Sequence, residues 1–388
     1  MEEMEARQKA EKHHSLWRRI ITWRPGKAGA VVLLVLIILG TVLIVNNLSR
    51  MTLGHFSRAI QYSRLGSPGH AEELRFTNLG SNTFATLGDG IAVASSGGLR
   101  FYDRSGALAY SAALEMERPV IRSEGEYVLA YDLGGYSFQS GNRQGARVHM
   151  ETWEGRIIDA NINANGWITL STEQIGTLGV VVVIDPQGNQ RYRVEIRSGH
   201  VVGAVLAEDN RTLAILTMAD TGGRVLWYST DVAGQPPQAE YLHEDELFFD
   251  IWTTTRDGSV GVISNNMVLI LSPGGTVVGE YQFRARNLRA YDIEDGYAAL
   301  YFPNGAAGEI VLLNRNGSDR RIEVEGNVTD LSLRGRYLGV LFGNELLVFR
   351  GTSRYASFRD TEGMTNVQMR EDGTVFRLSA HRAILLVP

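Results

Sequence analysis

The chain has 388 residues, 44% of them hydrophobic, and carries no Cys. A sizeable core is therefore possible, whereas disulfides, thiolate metal sites and a Cys nucleophile are excluded. Gly is abundant at 43 residues and Pro scarce at 9, which fits many short strands joined by tight turns. Lys stands only at Lys9, Lys12 and Lys27, so no Lys can form a Schiff base beyond residue 27.

Residues 1–27 are polar and basic. Arg7, Lys9, Lys12, Arg18, Arg19, Arg24 and Lys27 face Glu2, Glu3, Glu5 and Glu11, a net of +3. Trp17 and Trp23 are interleaved with Arg18, Arg19 and Arg24, the mixture found at a membrane interface. Residues 28–48 carry no charge and at ~1.5 Å each span roughly 30 Å, the thickness of a bilayer's hydrocarbon core. A cleaved signal peptide is the rival reading, but Ile44-Val45-Asn46-Asn47-Leu48 follows where a small-x-small site belongs. The expectation is one uncleaved transmembrane helix over 28–48. Arg18, Arg19, Arg24 and Lys27 precede it closely and only Arg50 follows closely. The positive-inside rule then puts the 1–27 tail in the cytoplasm and the rest outside the cell membrane.

Residues 49–72 read as a stalk. Leu53, Phe56 and Ile60 suit a short amphipathic helix, packed under the domain or lying on the outer leaflet, and Gly66-Ser67-Pro68-Gly69 ends it. From residue 73 to 388 a unit of strand, Gly turn, strand, loop, strand, Gly turn, strand returns eight times. First turns include Gly88-Asp89-Gly90, Asn165-Gly166, Asp209-Asn210, Asp257-Gly258, Asp295-Gly296 and Asp372-Gly373. These residue types supply the positive φ of tight hairpins. First strands are expected near Asn82, Pro119, Ile157, Val202, Phe248, Leu288, Val328 and Asn366, about 40 residues apart, the period of a propeller blade. The last unit has room for three strands, and Glu73-Leu74-Arg75-Phe76-Thr77 can supply its fourth. The fold class is thus all-β, an eight-bladed β-propeller with one N-terminal transmembrane helix. Seven blades is the alternative, should a terminal unit be irregular.

Gly88-Asp89-Gly90-Ile91-Ala92-Val93 with Gly98-Leu99-Arg100-Phe101-Tyr102-Asp103-Arg104-Ser105-Gly106, Ala290-Tyr291-Asp292-Ile293 and Gly335-Arg336-Tyr337-Leu338-Gly339-Val340-Leu341 carry a resemblance. Here the chain resembles membrane-anchored β-propeller proteins of clostridia and related bacteria, a group of unknown function within the quinoprotein-like and WD-repeat-like propellers. The resemblance covers anchor and propeller and implies a single N-terminal anchor, an extracellular propeller and no settled biochemistry. Quinone-dependent relatives carry a vicinal Cys pair and a repeated Trp motif. This chain has neither, so no cofactor is expected.

The His residues show no His-x-x-x-His or His-x-His spacing, and no Gly-x-Ser-x-Gly elbow, phosphate loop or dinucleotide fingerprint occurs. Asp159, Asp250, Asp292 and Asp330 recur at one register of the first strands, with Asn366 a fifth polar position. Together they are weak candidates for a metal site. The alternative is structural, each Asp accepting N–H bonds from the adjoining blade. Stretches 171–179, 218–224 and 302–309 read as long loops, and 235–246 as an insert between blades on the same face. Variable loops on a rigid scaffold are where recognition resides. Asp220, His243, Glu244, Asp245 and Asn304 are accordingly the partner-binding candidates.

Residues 49–388 hold 31 Arg against 39 Asp and Glu, a net of −8, which disfavours nucleic acid. The expected function is a non-enzymatic, membrane-anchored scaffold or binding module for an envelope protein or cell-wall polymer. An envelope-glycan enzyme, with two carboxylates roughly 5–10 Å apart at the channel mouth, and a sensor signalling through a partner are the other readings.

Overall fold

The structure is a computed structural model that describes residues 69–388 apart from 77–81, 104–105, 255–257, 295, 360 and 362. The expected tail, transmembrane helix and nearly all of the expected stalk lie outside the described residues. Among the described residues no helix is long and apolar enough to cross a membrane.

The described strands form eight four-stranded antiparallel sheets. Their innermost strands are β2 (Thr83–Leu87), β6 (Pro119–Glu124), β10 (Arg156–Ile162), β14 (His200–Leu206), β18 (Asp250–Thr253), β22 (Ala290–Glu294), β26 (Val328–Arg334) and β30 (Asn366–Met369). Each lies within two residues of its expected start. Seven of the turns after them place Gly at positive φ, from Gly88 (φ 58) to Gly373 (φ 83), and the eighth uses Asn210 (φ 58). A β-branched residue there would meet the steric penalty of the left-handed region, which Gly and Asn tolerate.

Why these strands are apolar on both faces follows from blade stacking. In β12 (Val180–Ile184), Val180, Val182 and Ile184 pack with blade 2, through Leu129, Tyr131 and Phe138. Val181 and Val183 pack the other way, against Ile215 and Leu226 of blade 4. A sheet sandwiched between two others needs a continuous apolar run, whereas an outer strand needs only alternation. The outermost β25 (Asp319–Glu325) shows that alternation, with Ile322 and Val324 buried between exposed neighbours.

Among the described residues eight such inter-blade clusters occur, and they close on themselves. Blade 1 packs on blade 2 through Leu99, Phe101, Val128 and Ala130. Blade 8 packs back on blade 1 through Phe376, Leu385, Ile91 and Val93. Blade 8 comprises β30, β31 (Val375–Leu378), β32 (Arg382–Val387) and β1 (Gly69–Arg75), in that order from the channel outward. The N-terminal strand therefore completes the C-terminal blade, which removes an open sheet edge. It begins at Gly69 rather than Glu73, so 69–72, expected in the stalk, belong to a strand. This ring decides for eight blades over seven.

Two expected loops are strands. In blade 4, β15 (Thr212–Ala219) and β16 (Gly222–Ser229) pair to their tips, leaving Asp220 and Thr221 as the turn. In blade 6, β23 (Tyr297–Asn304) and β24 (Ala307–Leu313) do the same around Gly305 and Ala306. Much of the expected insert is also strand: β17 (Ala239–Glu244) is the outermost strand of blade 4. Of the expected stretches, 174–179 remains a loop, joining β11 (Ile168–Glu173) to β12, and so does 235–238, which lies within blade 4 between β16 and β17 rather than between two blades.

Candidate functional site

The innermost strands edge the central channel. At the end marked by the turns that follow them, they and those turns enclose a cavity of ≈ 720 Å³. Its wall includes Arg122 and Glu124 on β6, Asp250 and Trp252 on β18, and Tyr291, Asp292 and Glu294 on β22. Glu208, in the turn after β14, and Arg315, in the outer turn of blade 6, complete the mouth.

The four recurring aspartates fall into two kinds. Asp292 Oδ2 accepts the backbone N–H of Leu333, in the next blade, at 2.6 Å. Asp330 Oδ2 accepts that of Val367, again one blade on, at 2.8 Å. Asp250 Oδ2 instead accepts the Tyr291 hydroxyl at 3.0 Å. Asp159 accepts from the Tyr131 hydroxyl at 3.3 Å and from Asn161 Nδ2 at 2.7 Å. In all four cases an adjoining blade supplies a donor. Two use main chain and two use tyrosine; β-bulges just before Asp159 and Asp330 do not follow that division, since one of these takes tyrosine and the other main chain. Among the described residues, no three His, Asp or Glu are grouped to hold a metal ion.

Arg122 is the centre of charge in this cavity. Its Nη2 lies 4.0 Å from Asp159 Oδ1, and it makes no hydrogen bond to a described residue. Protein surrounds it, yet the channel leaves 44% of its side chain accessible. Burial would lower its pKa, but Tyr131, Asp250 and Asp159 outweigh that and hold it above the usual range. Burial pushes Asp159 up to about 6, with Arg122 opposing and Asp250 assisting. Burial likewise pushes Asp292 and Asp330 up to about 6 against their backbone hydrogen bonds. Glu294 is ion-paired with Arg334 across the blade 6–blade 7 junction. Burial still pushes it up to about 8, opposed by Arg334 and assisted by Glu124 and Asp292. These shifts are desolvation effects first and charge effects second.

The sequence reading missed Arg122, Tyr131, Tyr291 and the Glu294–Arg334 pair. The available signal was polar residues two apart on a first strand, as in Arg122 and Glu124 or Asp292 and Glu294, with Asp330 and Arg334 four apart. Removing the acceptor of a tyrosine hydroxyl tests the bonding directly. Asp250→Ala is expected to cost about 1–3 kcal/mol, by the same amount in calcium and in chelator. Calcium-dependent stabilisation of the wild type that the exchange abolishes would restore the cation reading.

The partner-binding candidates separate. Asp220 tips the β15–β16 hairpin, and His243 and Glu244 end the neighbouring β17. Asp245 follows at φ 70, its N–H on Thr221 O at 3.4 Å. Gly223 N bonds Glu246 O at 2.6 Å, so hairpin tip and insert form one corner of blade 4. The His243 ring stands edge-on to Phe248 at 6.0 Å. Asn304 ends β23 in blade 6, with blade 5 between, and is not part of that corner. This corner lies at the strand ends opposite the turns that frame the cavity.

A family profile described as a family of unknown function, DUF5711, matches residues 70–366, from within β1 to the first residue of β30. The chain belongs to the DUF5711 family. A comparison with curated proteins finds no match. Among solved structures this DUF5711 chain is similar to the C-terminal WD40 domain of Sif2, at 11% identity and TM-score 0.59, over 82% of this chain and 98% of that one. It is similar to the computationally designed Ika8 protein at 11% identity and TM-score 0.60, over 82% and 100%. It also resembles apo AztD from Citrobacter koseri at 10% identity and TM-score 0.50, over 72% and 86%. At such identities the likeness is one of fold alone.

Proposed function

We propose that this chain is a membrane-anchored, non-enzymatic binding module that presents its propeller outside the cell to an envelope protein. The anchor is the charge-free run 28–48, oriented by the basic residues before it. The observation that carries the binding assignment is the surface around the blade 4 corner. Met218 and Leu247 are exposed there beside Asp220, Glu244 and Asp245, and Phe249, exposed just before β18, leans away with its ring 5.9 Å from that of Tyr291 in blade 6. Ile175, in the 174–179 loop of blade 3, is fully exposed at the same strand ends. Scattered surface apolar residues are ordinary, but several at one corner with an acidic rim suit a protein partner carrying apolar and basic groups. The carboxylates of the channel support binding rather than hydrolysis, because Asp159, Asp250, Asp292 and Asp330 are engaged in bonds between blades. Photo-cross-linking in intact cells from position 247 tests the assignment, with a covalent adduct to an envelope protein as the expected product.

A further inference from the structure

The cavity at the other end of the strands carries a separate site, and its wall leaves hydrogen bonds rather than charges unsatisfied. At the mouth Glu294 is ion-paired with Arg334, and Glu124, Glu208 and Arg315 have partners of their own. Further in, the charge of Arg122 is answered by Asp159 at 4.0 Å and by Asp250. The donors in the wall are another matter. The Arg122 guanidinium makes no hydrogen bond to a described residue, with 44% of its side chain accessible. Ser123, next to it on β6, and Thr253 on β18 also line the cavity, and their hydroxyls bond no described residue. Two more lining side chains hold buried polar atoms with no partner among the described residues, the Trp252 Nε1–H and the Thr254 hydroxyl. Unmet buried donors carry a free-energy penalty, and so many beside one cavity point to a ligand rich in acceptors.

Those acceptors are best uncharged. An anion on Arg122 would add negative charge beside Asp159 and Asp250, which already balance the guanidinium. A cation would face Arg122 itself. Acceptors also stand beside the donors. Asp250 accepts from Tyr291 and the Ile251 N–H, and Asp292 from the Leu333 and Ile293 N–H groups. An ionised carboxylate has about four lone-pair sites, so each has room for more. A hydroxyl group both accepts and donates, and therefore fits a wall where a guanidinium adjoins carboxylates. A neutral amide brings one acceptor and one donor per peptide unit, whereas a sugar ring brings a hydroxyl on almost every carbon. The Tyr291 side chain, also in the wall, offers the C–H face of such a ring an aromatic surface. The ≈ 720 Å³ cavity falls within the ~300–1,000 Å³ of small-molecule sites.

We propose that this cavity binds a neutral sugar, with Arg122 donating to its hydroxyl oxygens and the Ser123 and Thr253 hydroxyls completing the contact. This site is independent of the blade 4 corner, and each assignment can fail without the other.

The test is saturation-transfer NMR on the full-length chain, in a detergent without a sugar headgroup, with glucose, galactose and N-acetylglucosamine as probes. Transfer to at least one of these sugars is expected. Arg122→Lys keeps the charge that balances Asp159 and Asp250 but removes the fork of donors. It is expected to weaken binding of that sugar at least about tenfold. Thr253→Val removes a hydroxyl at nearly constant volume, outside the blade-to-blade bonding described above, and is expected to weaken binding severalfold. It decides the matter if Arg122→Lys fails to fold. A loss with either exchange at unchanged melting temperature supports the assignment. Acetate and N-acetylglycinamide, which stand for the anionic and the neutral-amide ligands, are expected not to displace the sugar at equal concentration. Displacement by either would overturn the proposal. Absence of transfer to all the sugars, or binding that both exchanges leave intact, would overturn it equally.

Discussion

Exchanging Leu74 and Phe76 together for Ala is expected to open the ring at its seam. Both are buried, at 3% and 7% exposure. Leu74 pairs with Ala383 across β1 and β32, and the Phe76 N–H bonds His381 O at 2.9 Å. The Phe76 ring lies 5.6 Å from Phe84 and 6.0 Å from Tyr102, both in blade 1. One residue thus holds the last blade to the first. Truncating a buried Leu or Phe to Ala costs about 2–5 kcal/mol. The two share one cluster, so their costs need not add. A fall in melting temperature of roughly 10 °C or more is expected, with aggregation as the freed edge finds partners. An unchanged melting temperature would show that β1 is no working part of the ring.

The second large effect is on pH. Asp159, Asp292 and Asp330 keep protons up to about 6, and Glu294 up to about 8. Their unfolded values lie near the ordinary carboxylate range of about 4. Between those limits the folded state binds more protons than the unfolded one, so stability falls as pH rises. Asp185 and Asp209 act with the opposite sign. Hydrogen bonds to each outweigh burial and hold it below its ordinary value, and their contribution is lost only as pH falls through the acid range. From about pH 5 to 8 the four raised acids therefore dominate. A tenfold difference in proton affinity between the two states is worth about 1.4 kcal/mol, and solvent access through the channel holds the combined effect to several kcal/mol. The urea midpoint is expected to be higher at pH 5.5 than at pH 8. Glu294→Gln is expected to flatten the upper half of that slope, because the neutral amide has no proton to lose. A midpoint that rises from pH 5.5 to 8 would contradict burial as the governing term.

Much of the architecture was legible because each turn announces itself locally. Gly88, Gly166 and Gly335 mark tight hairpins from their own residue type, and Asn210 substitutes in the one unit lacking Gly there. The closing strand was legible because Leu74 and Phe76 stand in an alternating stretch with no other place in the count. The hairpins at 218–224 and 302–309 were misread as loops because Gly222, Gly223, Gly305 and Gly308 look like loop residues. Two of these glycines answer to packing instead. A Cβ at Gly308 would stand 2.5 Å from the Tyr301 ring, and one at Gly223 2.5 Å from Phe248. The channel was the least legible part. Arg122, Asp250 and Tyr291 come from three different blades, and no local pattern shows that ring closure brings them to one cavity, with Asp159 of a fourth blade 4.0 Å from Arg122. The aspartates looked like one set because each sits among apolar neighbours. What divides them is whether the adjoining blade offers a tyrosine hydroxyl, as Tyr131 and Tyr291 do, or a main-chain N–H, as Leu333 and Val367 do.

Photo-cross-linking in intact cells tests most directly whether the proposed blade 4 corner meets a protein outside the cell. The cross-linking residue is placed at Leu247, with a second chain carrying it at Leu108 on the outer strand of blade 1. Both positions are exposed, at 52% and 53%, and they lie on different parts of the ring. The expected result is an adduct with one envelope protein from position 247, and no such adduct from position 108. No adduct from position 247, or the same species from both positions, would contradict the proposed surface.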